Sequence, residues 1–155
     1  MEMELNILLR ALIALVLSGI LGWEREAAGK SAGVRTHMLV GLAATLFVVL
    51  AEQMVIHFQS YGDSIRFDPI RIIEAVVTGV SFLGAGSIFV AGNADRVKGL
   101  TTAASILVTA GVGMMVGLEL YLLSTAITLL IFGVLHVLSR IKDRIPPPPA
   151  EDVAP

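Results

Sequence analysis

The chain has 155 residues, of which 55% are hydrophobic and only 15% charged, with a formal net charge of −2. Soluble domains lie near roughly 45–50% apolar and about 25% charged, so this composition excludes an ordinary soluble domain and, with a mean hydropathy of +0.84, points to a membrane protein. No basic stripe offers a nucleic-acid surface, and without cysteine there is no disulfide framework, thiolate chemistry or Cys-based zinc site.

The N-terminal MEMELN places Glu2 and Glu4 where a secretion signal carries Lys or Arg. No small-residue cleavage site follows, so the first apolar run is expected to remain in the mature protein. A membrane-crossing helix needs about 20 apolar residues, roughly 17–25. Five segments qualify, at about 5–22, 37–57, 70–91, 102–118 and 120–139. Asp68-Pro69 reads as an N-cap followed by Pro at the first helical position of the third segment. Thr36 is expected to cap the second, and Thr101 or Thr102 the fourth. The last two segments form a tight hairpin turning near Gly117 to Leu120, and the Pro-rich tail over 141–155 is expected to be disordered. The fold class is therefore an all-α membrane protein, with residues 1–140 forming a five-helix transmembrane domain.

Lys and Arg set the orientation. Arg25, Lys30, Arg35, Arg96, Lys98, Arg140, Lys142 and Arg144 share one side, against Arg10, Arg66 and Arg71 on the other. The positive-inside rule then puts the N-terminus outside and the C-terminus in the cytoplasm. Trp23 marks the inner interface, and Tyr61 and Tyr121 lie towards the outer one.

Three constellations stand out. Thr101, Ser105, Thr109, Gly113 and Gly117 recur every four residues, with Ala75, Gly79, Gly84 and Gly86 in the third segment and Ser18 and Gly22 in the first. Small residues let helix backbones approach where lipid supplies no hydrophobic drive. The alternative is that Gly84 and Gly86 loosen the third segment and expose backbone carbonyls.

The second constellation is ionisable. At 1.5 Å per residue, Arg10 and Glu52 each lie about 7 Å, and Glu74 about 6 Å, in from the same face, with Arg71 one turn above Glu74. Intramembrane charges usually pair inside the bundle. The structural reading is an Arg10–carboxylate ion pair. The functional one is a cation vestibule, in which Glu52 and Glu74 are the candidate ligands for a Mg²⁺ that keeps most of its waters. No other cofactor is expected.

The third is WEREAAGKSAGVRTH at 23–37, where six charged or ionisable side chains interrupt the apolar pattern. Composition reads it as a solvated stop between helices, with Glu26 and Lys30 able to pair if the first helix runs on. His37, His57 and His136 fall near different interfaces, and neither G-x-S-x-G nor H-E-x-x-H occurs, so catalysis is not expected.

GILGWEREAAGKSAGVRTHMLVGLAATLF (19–47), DPIRIIEAVVTGVSFLGAGSI (68–88) and VKGLTTAASILVTAGVGMMVGLELY (97–121) together resemble the MgtC/SapB family of bacterial inner-membrane proteins, over about residues 5–138. The resemblance implies five spans with the N-terminus outside. It also implies a role in growth at low Mg²⁺, stress adaptation and virulence, exercised by inhibiting the F-type ATP synthase. A Mg²⁺ or other cation transporter or channel is the alternative. The family's motif positions fall on Glu24, Arg25, Gly33, Arg35, Thr36 and His37, then Phe82 to Gly86, then Gly99 to Thr102; Asn93 is the nearest match to a polar-loop Asn. The chain departs from the pattern at Ser81, Ala75 and Leu107, where Gly, Gln and Trp are common. Many members carry a cytoplasmic domain after the fifth span, for which RIKDRIPPPPAEDVAP is expected to leave no room. Glu24, Arg25, Arg35, Thr36 and His37 are expected to fold against Asn93, Thr101 and Thr102 as a cytoplasmic polar cluster. The bilayer, a second copy of the chain and a membrane protein such as an ATP synthase subunit are the expected partners.

Overall fold

The computed structural model describes residues 1–59, 68, 70–91 and 98–142. Five helices run in order: α1 (Glu2–Ala27), α2 (Val34–Gln59), α3 (Ile70–Ala91), α4 (Leu100–Gly117) and α5 (Tyr121–Lys142). The first four are long and apolar enough to cross a membrane; the described apolar run of α5 is Tyr121–Val137. Several helices outrun their apolar cores. α1 continues past Trp23 to Ala27, so the expected loop at 23–36 shrinks, and α5 carries on to Lys142. The rest of the tail lies outside the described residues.

The turns follow local chemistry, with two corrections. Asp68 caps α3 as expected, its carboxylate accepting the Ile70 N–H at 3.0 Å. Thr36 lies inside α2, however, and α4 is capped by Gly99 in the left-handed conformation with no side-chain bond, so neither Thr101 nor Thr102 has that role. α1 closes with Gly29 at φ 64, the Lys30 N–H reaching the Arg25 carbonyl and the Gly29 N–H that of Glu26. This left-handed closure suits glycine, which lacks the Cβ that would clash. α4 closes in the same way, but with Glu119 at φ 61. A side chain in that conformation costs roughly 1–2 kcal/mol, so something must hold Glu119 there.

α4 is the axis of the bundle and contacts all four other helices, while among the described residues α3 touches α2 and α4 alone. Two apolar cores flank it. Val40, Ala44, Val76, Ile106 and Ala110 join α2, α3 and α4, whereas Ala14, Leu17, Leu21, Val112 and Val116 join α1 and α4, with α5 packed outside. The small-residue stripe draws α2 and α4 together. A Cβ on Gly113 would strike the Gly41 carbonyl oxygen, and one on Gly117 would lie 2.7 Å from Val48 Cβ. Ser105, Thr109, Gly113 and Gly117 are thus buried within the chain, while Thr101 is exposed. α3 runs unbroken through Gly84 and Gly86, so the glycines do not open it. Gly84 packs on Ala103, whereas Gly79 and Gly86 face open space.

Candidate functional site

Two polar clusters occupy opposite ends of α1, with Arg10 and Arg25 about 22 Å apart along the helix axis.

At the far end of α1, Gly22 leaves room for the first turn of α2: a Cβ there would lie 2.7 Å from Val34 Cα and 2.9 Å from His37 Cβ. His37 is thereby fully buried. Its Nδ1 lies 2.9 Å from the Gly33 carbonyl and its Nε2 3.2 Å from Ser105 Oγ on α4. A carbonyl oxygen only accepts, so Nδ1 carries the proton and donates. Ser105 Oγ also lies 2.8 Å from the Thr102 carbonyl. It has one proton, so with neutral His37 it donates to Nε2, and with protonated His37 it turns to Thr102.

Beside them Glu24 and Arg25 are buried and paired with each other, and Arg25 Nη2 reaches the Leu135 carbonyl of α5 at 3.5 Å. Burying two charges is costly unless they satisfy one another, which adjacent positions on one helix turn achieve here. Glu26 does not reach for Lys30. Its carboxylate accepts the Val34 N–H at 2.9 Å, placing negative charge at the start of α2.

Of the expected cluster, the structure brings together Glu24, Arg25, His37 and Thr102. Arg35, Thr36 and Thr101 are exposed. Asn93 lies outside the described residues.

At the other end, Arg10 is 8% exposed and anchors four groups. Its Nε donates to Asn6 Oδ1 at 2.7 Å, and its Nη1 to Glu52 Oε2 at 2.7 Å and the Gly117 carbonyl at 2.9 Å. Its Nη2 pairs with Glu119. The Gly117 carbonyl belongs to the C-terminal turn of α4, where a cation is favoured by the helix dipole. The strained Glu119 is explained by this contact.

The cluster borders a cleft of about 470 Å³ whose walls include Val55, Ile72 and Met114. Arg71 and Glu74 do not join it. Arg71 lies 3.9 Å from Asp68, and Glu74 is exposed on α3. Glu74 does not line the cleft, while Glu52 is held by Arg10, so the two carboxylates expected as Mg²⁺ ligands do not face one another across it. Among the described residues no group of three or more His, Asp or Glu could hold a metal. The sequence reading missed Glu119, Asn6 and the polar role of Ser105. The signal for Glu119 was a charged residue at a helix-ending turn where glycine is usual.

A bundle of long apolar helices with ionisable groups paired in its interior defines a helical membrane protein without a catalytic constellation among its described residues. Comparison with known sequences sharpens that class. The chain belongs to the MgtC family, whose model matches residues 11–144. It is 40% identical over 140 residues to YhiD of Escherichia coli (strain K12), provisionally described as a magnesium transporter, covering 88% of this chain and 64% of that protein. It is 37% identical to MgtC of Brucella abortus (strain 2308), over 78% of this chain and 46% of that protein. It is 34% identical to SapB of Bacillus subtilis (strain 168), over 75% and 49%. The chain thus spans between about half and two thirds of the length of these relatives. No solved structure matches it.

Proposed function

We propose that this chain is a bacterial inner-membrane protein of five crossings, with the N-terminus outside and the C-terminus in the cytoplasm. It serves adaptation to magnesium limitation or stress by regulating a membrane partner, and does so without catalysis. The F-type ATP synthase is that partner on the family resemblance, and the active form is a homodimer.

The observation that carries this reading is the closed middle of the bundle. Between the two polar clusters, Gly41 and Gly113 bring α2 and α4 into backbone contact, and Ala14, Leu17, Leu21, Val112 and Val116 fill the space towards α1. A carrier needs a polar path joining the two ends; a regulator needs a fixed body and an exposed face. On α3, Glu74, Thr78, Phe82 and Gly86 form an exposed ladder at four-residue spacing. Phe82 is 80% exposed.

Cation transport is the second reading. The half-exposed carboxylates of Glu52 and Glu119 at the cleft favour it, as does the description given to the Escherichia coli relative.

A photo-crosslinker at Phe82 in native membranes tests the first reading. Adducts with a membrane subunit of the ATP synthase that increase under magnesium limitation are expected. Their absence from every position of the α3 ladder would contradict it.

A further inference from the structure

The cleft at Arg10 does not end at its charged groups. Ala51 and Ile72 line it, and the same two residues line an apolar groove of about 600 Å³ between α2 and α3. That groove extends along α2 to Leu39. From Ala51 to Leu39 is about 18 Å of helix, a little over half of the ~30 Å hydrocarbon core, and therefore the reach of one acyl chain. Its floor is smooth where Gly79 carries no side chain.

The mouth is charged. Glu52 and Glu119 each give one oxygen to Arg10, so Glu52 Oε1 and Glu119 Oε2 have no partner among the described residues. These side chains are 45% and 46% exposed. One guanidinium against two carboxylates leaves an excess negative charge at the mouth. On the rim, Arg71 precedes the lining residues Ile72 and Ile73, and its side chain is 83% exposed, with a 3.9 Å contact to Asp68 as its one ion pair among the described residues.

We infer that the α2–α3 groove and the Glu52–Glu119 mouth form one binding site for a membrane lipid with a primary ammonium headgroup. One acyl chain fills the groove, the ammonium donates to Glu52 Oε1 and Glu119 Oε2, and the phosphate faces Arg71. An ammonium has N–H donors and no acceptor, which is the complement of two free carboxylate oxygens. A choline head has the same charge but no N–H to donate. A glycerol head leaves the lipid anionic, and the mouth repels it.

The test is lipid retention. The full chain is purified from vesicles of equal phosphatidylethanolamine, phosphatidylcholine and phosphatidylglycerol with matched acyl chains, and the bound lipid is counted by native mass spectrometry. Phosphatidylethanolamine is expected to be enriched over both others by at least about tenfold, the effect of one of its two hydrogen bonds to a charged group. Glu52→Gln and Glu119→Gln each lower that enrichment. Ile73→Trp, at an exposed position of the cleft wall, leaves both carboxylates in place and displaces the bound lipid. Equal retention of the three lipids by the unaltered protein, or an enrichment that survives Ile73→Trp, overturns the inference.

Discussion

The Thr45 hydroxyl on α2 donates to the Gly113 carbonyl of α4 at 2.7 Å, where the helices lie too close for a Cβ on Gly113 itself. Thr45 is fully buried, and its hydroxyl also lies 3.0 Å from the Gly41 carbonyl. In lipid this polar contact and the backbone approach do together what apolar burial does in water. The same contact separates the two ionisable clusters.

Gly113→Ala should therefore destabilise the bundle by about 1–3 kcal/mol, the usual cost of forcing atoms into a filled interface. Gly111 lies on the same helix with nothing within 4 Å of an added Cβ, so Gly111→Ala should not destabilise and gains up to about 1 kcal/mol of helix propensity. Thermal unfolding in detergent compares them. Equal midpoints would mean that α2 and α4 are not in backbone contact.

Glu52 and Glu119 share Arg10, and that makes them non-additive. Either Gln substitution alone leaves one ion pair and should cost under about 1 kcal/mol, because both carboxylates are half exposed. The double substitution leaves a buried guanidinium with only Asn6 and the Gly117 carbonyl, and should cost about 3 kcal/mol. A double variant equal to the sum of the singles would show that the two carboxylates act independently.

His37 should be found by nitrogen NMR as the Nδ1–H tautomer when neutral, because the Gly33 carbonyl can only accept. Ser105→Ala removes the hydroxyl facing Nε2 and should cost about 1–3 kcal/mol. It should also abolish any pH-dependent change at the Thr102 carbonyl, which is the acceptor when His37 is protonated. A neutral Nε2–H tautomer would contradict this network.

Arg25→Met strands Glu24 in a buried position and should destabilise by about 3–5 kcal/mol, whereas adding Glu24→Gln should recover much of the loss. Denaturant titration of the three proteins reads the difference. Failure of Glu24→Gln to recover stability would show that Arg25 acts through its α5 contact and not through the carboxylate.

Helix number and order were legible because apolar runs of membrane length carry their own signal. That Arg10 pairs with a carboxylate also followed from matching depth and opposite charge, but the choice of Glu52 over Glu74 came from the structure. Glu74 was misplaced for a physical reason: depth along a helix axis says nothing about which face it presents, and α3 turned that face outward. Glu119 was passed over although it stands at a helix-ending turn, because its contact with Arg10 depends on a left-handed backbone that the residue type does not announce. Of WEREAAGKSAGVRTH, the family resemblance singled out Glu24, Arg25, Arg35, Thr36 and His37 alike; the structure buries Glu24, Arg25 and His37 and leaves Arg35 and Thr36 exposed, a difference that charge alone does not show.

Co-reconstitution of this chain with an F-type ATP synthase in liposomes, reading ATP-driven proton uptake and Mg²⁺ entry in one preparation, separates regulation from transport. Regulation predicts that proton uptake falls as the chain is added while Mg²⁺ entry stays at the level of protein-free vesicles. Mg²⁺ entry that rises with the amount of the chain, with proton pumping unchanged, would contradict it.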